Sequence, residues 1–281
     1  MADSEKVRKR KEKFSDEVRS RILNDPLNDG ALLSRLEGIH GNIRVLQTDQ
    51  EARIRFFKRI LDIRKLDPES DQIAYGLRKL REIIISVYNL NKNDSSFVAF
   101  ILKVFDVSVK YHVDRNEISK TLPSLQFVIE TPELREFGSR YEELVGCYIL
   151  YTSHIDLNVE KSIQLSSKLL VNSSYRNTCK RLALIYCCRS EPFSFWFSTV
   201  AQLSDSSLMK TFLIALPAFE YIKEQTIVTI SKCYNQLGLT FMEVGWFHNM
   251  FQNLEETVAK RWVVEQTIRS GKIVKFKQRI N

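Results

Sequence analysis

Helix breakers are scarce in this chain. Nine Gly and six Pro among 281 residues, against an abundance of Leu, Ile, Val, Phe and charged side chains, lead us to expect a mainly helical soluble protein. Cysteine is limited to Cys147, Cys179, Cys187, Cys188 and Cys233. None forms a C-x-x-C pair, and an odd number without a secretory signal argues for reduced core thiols, Cys187 and Cys188 included, in the cytosol or nucleus. The opening MADSEKVRKRKEK has no apolar core of the kind a signal peptide needs. No long apolar run is free of charge, so no membrane partner is expected.

Catalytic signatures are missing as well. The chain has no G-x-x-x-x-G-K-[ST], G-x-G-x-x-G or G-x-S-x-G. His40, His112, His154 and His248 are scattered, without Cys or carboxylates at ligand spacing, so structural or surface roles are expected and no metal. The acid pairs Glu142-Glu143 and Glu255-Glu256 read as solvated helix faces. An enzyme is not expected, and neither is a cofactor.

What the chain does have is length, charge and helical rhythm. It is long enough for a sizeable core and one or two domains. Its net charge of +8 is concentrated at the two ends, which suggests an acidic partner, nucleic acid or protein. Eight Lys or Arg crowd residues 1–21 with almost nothing to bury. Residues 1–30 therefore read as a basic mobile arm, either a solvated tail or an element of nuclear import or nucleic-acid contact.

From Ala31 onward apolar positions recur at helical spacing. Leu32, Leu33, Leu36 and Ile39 lead into Ile43 and Leu46, and a second stripe runs through Ile54, Phe57, Ile60 and Leu61. After Asp67-Pro68 a strong amphipathic helix carries Ile73, Leu77, Leu80, Ile83, Ile84 and Val87. Ser96 then opens a helix bearing Phe97, Ile101, Val104 and Phe105. The rhythm continues over 118–129, and Thr131-Pro132 reads as the start of a helix with its stripe on Leu134, Phe137, Tyr141, Leu144, Val145 and Tyr148. Further helices are read at 157–170, 173–190, 192–203, 205–215 and 218–235. About ten antiparallel helices without a fixed-period repeat suggest an α-solenoid layout over 31–220.

The last segment, 221–281, has a different order. A helix ends at Tyr234, Leu239-Thr240-Phe241 suits a short strand, Phe241 to Phe251 fill one helix, and residues 255–269 read as another. After a Ser270-Gly271 turn, IVKFKQRI alternates apolar and basic residues as a half-buried strand does. Helix, short strand, two helices, turn and basic strand is the order of a winged helix. Seven cations follow Lys260 inclusive: Lys260, Arg261, Arg269, Lys272, Lys275, Lys277 and Arg279, against the single acid Glu265. They are the candidate nucleic-acid contacts, although charge here also suits subunit pairing or plain solvation of an exposed strand. Four aromatics in 193–197 and those of 246–251 suit either core or a docking patch, which makes Phe195, Trp196 and Trp246 candidate partner contacts.

On Lys232 and Tyr234, the Leu-x-Phe strand and the closing hairpin, the segment resembles the winged-helix half of PCI domains, the scaffold modules of the proteasome lid, the signalosome and a translation initiation factor. GLRKLREIIISVYN and the block from KRLALIYCC to TISKCY are similar to the GANP/Sac type of nuclear mRNA-export complexes. The resemblance covers roughly residues 35–281. It implies an all-α fold, a right-handed helical-repeat stack followed by a C-terminal winged helix with a small β-sheet. It also implies a nuclear (alternatively cytoplasmic) scaffold with other PCI-type subunits, a small acidic Sem/Dss-like peptide and RNA or DNA as partners. In that arrangement Trp196 is a candidate for the seam between stack and wing.

Overall fold

A computed structural model of the chain describes residues 41–251, 253–267 and 271–279, the first three and last two of these by backbone alone. The basic arm and the apolar positions up to Ile39 lie outside the described residues. The chain is mostly helical, with a small three-stranded antiparallel sheet near its C-terminus. It divides into two compact units, one through Ser108 and one from Val109.

In the first unit, α1 (Gly41–Thr48), α2 (Gln50–Leu66) and α3 (Asp71–Asn91) pack together, and α4 (Ser95–Asp114) starts there. The α3 stripe is buried as its spacing predicts, with Ile73, Leu77, Leu80, Ile83 and Ile84 fully inside. In α2 the buried face is shifted from the expected one: Ile54 is exposed, whereas Arg53 is buried. The reason is a helix end. Arg53 Nη1 donates to the carbonyls of Leu46 (2.9 Å) and Gln47 (3.1 Å), two of the last four acceptors of α1 that no helical N–H can reach. Its guanidinium also lies over the Phe97 ring, 5.2 Å from the centroid. The cap of α4 is Asp94, whose carboxylate accepts from Ser96 N (2.9 Å), one residue or more ahead of the expected start.

The second unit is organised around one helix. A 3-10 turn (Ile118–Thr121) and α5 (Leu122–Glu130) cover the expected 118–129 segment. Thr131 stands at the N-cap and Pro132 at the first position of a helical turn, as expected, but the turn is 3-10 (Pro132–Phe137) and Gly138 at φ 58 breaks it from α6 (Ser139–His154). Then come α7 (Val159–Leu169), α8 (Ser173–Cys188), α9 (Phe193–Ala201), α10 (Leu208–Ala215) and α11 (Pro217–Cys233). Thirteen of the 16 residues of α6 are buried, more than one apolar stripe supplies, so α6 is enclosed by α5, α7, α8 and α10.

Enclosure forces the polar groups of α6 to find partners inside the protein. Glu142, expected on a solvated face, is buried, and its Oε1 accepts from the N–H groups of Val171 (2.7 Å) and Asn172 (2.9 Å) in the turn between α7 and α8. Glu143 accepts from Ser207 Oγ (2.7 Å) at the start of α10. The Ile149 carbonyl accepts from Ser162 Oγ of α7 (3.2 Å) and that of Ser153 from Cys187 Sγ of α8 (3.0 Å). His154 Nε2 accepts from the indole N–H of Trp196 in α9 (3.1 Å), while Nδ1 lies 3.1 Å from the Leu150 carbonyl. Tyr186 of α8 stacks on the imidazole, centroids 4.5 Å apart. Cys187 is thus half-buried, and Cys188, expected near the core, is exposed.

Beyond α11 lie β1 (Gln236–Gly238), a helical turn (Leu239–Phe241) continued by a π-helical turn (Met242–Trp246), α12 (Leu254–Ala259), β2 (Trp262–Thr267) and β3 (Gly271–Arg279). The central strand is β3, antiparallel to both neighbours, with Leu237 and Val264 each opposite Val274. Two expectations are corrected here. The first strand lies at Gln236–Gly238, because Leu239–Phe241 already begins a helix. The helix expected over 255–269 stops at Ala259, and Trp262–Thr267 is a strand: β-branched Val263, Val264 and Thr267 favour the pleated form, and pairing to β3 brings Trp262 edge-on to Phe276 at 5.2 Å.

Two predictions follow from the enclosed helix. A Cβ on Gly146 would meet Met209 Sδ of α10 at 2.6 Å, so Gly146→Val should cost about 1–3 kcal/mol through overpacking. In urea unfolding, Gly146→Val combined with Met209→Ala should lose less than the sum of the single variants; strict additivity would argue against the contact. The second concerns pH. Burial lowers the His154 pKa from 6.5 to about 4, so the unfolded chain binds this proton first as pH falls. The stabilisation is complete above about pH 6.5 and is lost between there and pH 4, on the order of 3 kcal/mol in all. His154→Gln, which keeps an acceptor for Trp196, should flatten the stability profile across that window.

Candidate nucleic-acid interface

The period of two along β3 decides where its charges go. Val274 and Phe276 are buried, so they mark the inward face, and Lys275 and Lys277 point to the other side. Lys272 shares its parity with Val274 and Phe276. Among the described side chains, Lys275 and Lys277 thus share the outer face, as expected of several of the strand's cations, and Lys272 does not. Lys272 leans to the α12 side, where Nζ lies 2.6 Å from both Glu255 oxygens. With Trp262 and Val264 this pair lines an open cavity of about 490 Å³.

Two more of the expected cations are also paired. Lys275 Nζ is 2.6 Å from Glu265 Oε1 on the neighbouring strand, and Arg261 Nη1 is 2.7 Å from Glu224 Oε2 on α11. Such pairs are partly exposed and each contributes roughly 0–1 kcal/mol, so a phosphate can compete for the cation. Lys260 and Lys277 are exposed and meet no carboxylate among the described residues. Arg279 is described by backbone alone, opposite Trp262. Arg269 lies outside the described residues.

The candidate partner contacts separate clearly. Trp196 is fully buried, a correction to its placement as a docking residue: its indole N–H is committed to His154 and its ring packs at 6.0 Å from Phe219. Phe195, one position earlier, is 44% exposed beneath the Arg181 guanidinium at 5.6 Å. Arg181 is itself held by a two-pronged pair with Glu191 at 3.0 and 2.7 Å, which raises its pKa. Trp246 is half-buried, edge-on to Tyr234 at 6.1 Å.

The ring contacts between α9 and the segment ahead of α12 are made by Phe197, the neighbour of Trp196, which the resemblance made a candidate for a seam. The Phe197 ring lies 5.2 Å from Phe247, 5.4 Å from Phe251 and 6.0 Å from Phe219, tying α9 and α11 to the segment ahead of α12. Phe241 and Val244, expected inside a helix core, are exposed on that segment. Apolar spacing could not separate them from Phe247, because the π-helical turn at Met242–Trp246 changes the register of the faces. Among the described residues no helix is long and apolar enough to cross a membrane, and no three His, Cys, Asp or Glu gather as metal ligands would. Comparison with protein-family models, with curated proteins and with solved structures gives no match to this chain.

Proposed function

We propose that the chain is a non-enzymatic, PCI-type scaffold of a nuclear complex, in which a stack of helices carries a C-terminal winged helix that contacts RNA phosphates. The winged-helix reading is supported by the run of α11, β1, a helical segment, α12, β2 and β3, with β3 between β1 and β2. The observation that carries the nucleic-acid reading is the outer face of that central strand, which presents Lys277 beside Lys275 while Lys260 stands exposed before β2. Neutralised phosphates release counterions, so affinity falls with salt in proportion to the contacts made.

Other PCI-type subunits and a small acidic Sem/Dss-like peptide are the protein partners this reading implies, with a role in mRNA export or processing. A second reading, a structural subunit of a lid-, signalosome- or initiation-factor-like assembly, draws on the ion pairs at Lys272, Lys275 and Arg261, in which the protein's own acids engage three of the five candidate cations with described side chains. It draws also on β2, whose outer edge pairs with no strand among the described residues.

The two readings part on one experiment. Single-stranded RNA should bind the full chain with a log–log salt slope of about −0.7 for each phosphate contacted. Lys260→Glu with Lys277→Glu should weaken binding at least about tenfold and make the slope shallower. RNA affinity untouched by both charge reversals, or no binding at physiological salt with stoichiometric capture of other scaffold subunits, would favour the structural reading instead.

A further inference from the structure

Arg189 occupies a position that a helix end normally gives to glycine. As the C-cap of α8 it is left-handed, at φ 55 and ψ 36, a conformation that residues with a Cβ rarely adopt. From there its guanidinium lies over the Phe193 ring of α9, 3.9 Å from the centroid, and Nη2 donates to Tyr221 Oη of α11 at 2.6 Å. Tyr221 is edge-on to Phe193 and to Tyr186 of α8, at 6.3 Å in each case. Three helices thus bring one cation and three rings to a single patch. Arg189 is exposed and Tyr221 is 44% exposed, while Phe193 and Tyr186 are half-buried.

The charge of this patch is not cancelled. Arg189 forms no ion pair among the described residues. Residues 161–190 carry Lys161, Lys168, Arg176, Lys180, Arg181 and Arg189 and not one Asp or Glu, so α8 has no acid of its own. The acids nearest in sequence to Arg189 and Tyr221 are both engaged: Glu191 in the fork with Arg181, and Glu220 with Lys223 Nζ at 3.3 Å. A partner that matches this surface must offer flat faces together with negative charge. Single-stranded RNA offers both in every nucleotide, a base that stacks on aromatic rings and guanidinium planes and a phosphate that pairs with Arg. An acidic peptide supplies the charge without the rings.

We propose that this patch is a second contact for single-stranded RNA, in which a base stacks on Tyr221 and Phe193 and a phosphate meets Arg189. The ligand class rests on the reading above, whereas the site stands on its own residues, none of which belongs to the C-terminal sheet. The bond to Tyr221 already orders the guanidinium, so little side-chain freedom is lost on binding.

Fluorescence anisotropy with an oligouridine about eight nucleotides long tests this in the full chain carrying Lys260→Glu and Lys277→Glu, where those wing cations no longer contribute. Oligouridine should still bind that chain. An abasic oligoribonucleotide of equal length, which keeps the phosphates and lacks the rings, should bind about tenfold weaker. Adding Arg189→Gly should weaken oligouridine about tenfold while leaving the melting temperature close to that of the parent, because glycine suits the left-handed backbone. Tyr221→Leu, which keeps apolar bulk, should remove most of the difference between oligouridine and the abasic oligomer. The proposal is overturned if the wing reversals alone abolish oligouridine binding, a result that leaves the wing reading standing. It is overturned also if both oligomers bind equally, or if Arg189→Gly with Tyr221→Leu leaves the affinity unchanged, as a patch that docks a protein would. Affinity untouched by the wing reversals but lost with Arg189→Gly and Tyr221→Leu would sink the wing reading and keep this one.

Discussion

The second unit depends on the complete enclosure of α6. A helix with apolar residues on one stripe can slide or rotate against its neighbours at modest cost, but a buried polar group left unpaired costs about 1–3 kcal/mol. In α6 three polar side chains point in different directions and are met by three different elements: Glu142 by the α7–α8 turn, Glu143 by the start of α10, His154 by α9. Any shift in register breaks more than one of these at once. Gly146 adds a close contact, since a Cβ there would meet the Met209 side chain of α10 at 2.6 Å and force it to move.

That constraint is transmitted to the C-terminal module. His154 holds Trp196, Trp196 packs edge-on against Phe197 at 5.4 Å, and Phe197 reaches Phe247 and Phe251. The sheet is therefore attached through aromatic contacts that begin at α6. Its charged side is held differently, by ion pairs of low individual strength at the surface, so the cations of β3 keep their positions yet stay open to exchange with an external anion.

Much of the helical framework was legible from spacing. The stripes on α3 and α4 are buried as read, and α7 to α11 fall within a few residues of their expected bounds. What escaped was set by long-range partners. WVVEQT fits a helical period as well as a strand, and only pairing with β3 selects the strand. Arg53 and Glu142 look like surface charges until the helix end and the turn they serve are brought beside them. Trp196 and Phe195 are adjacent in sequence and equally aromatic; which one faces inward is decided by His154, forty-two positions away. The basic strand was visible, but its division into two faces required knowing that Val274 and Phe276 mark the inward side.

Native-state hydrogen exchange followed residue by residue reads the stability of α6 against that of its surroundings. If α6 organises the second unit, the amides of Val145 to Ser153 should exchange only through global unfolding, with the free energy measured by urea, while those of β1 and α12 open at lower cost. Exchange of the α6 amides through a partial opening, at a free energy equal to or below that of the sheet, would contradict the account.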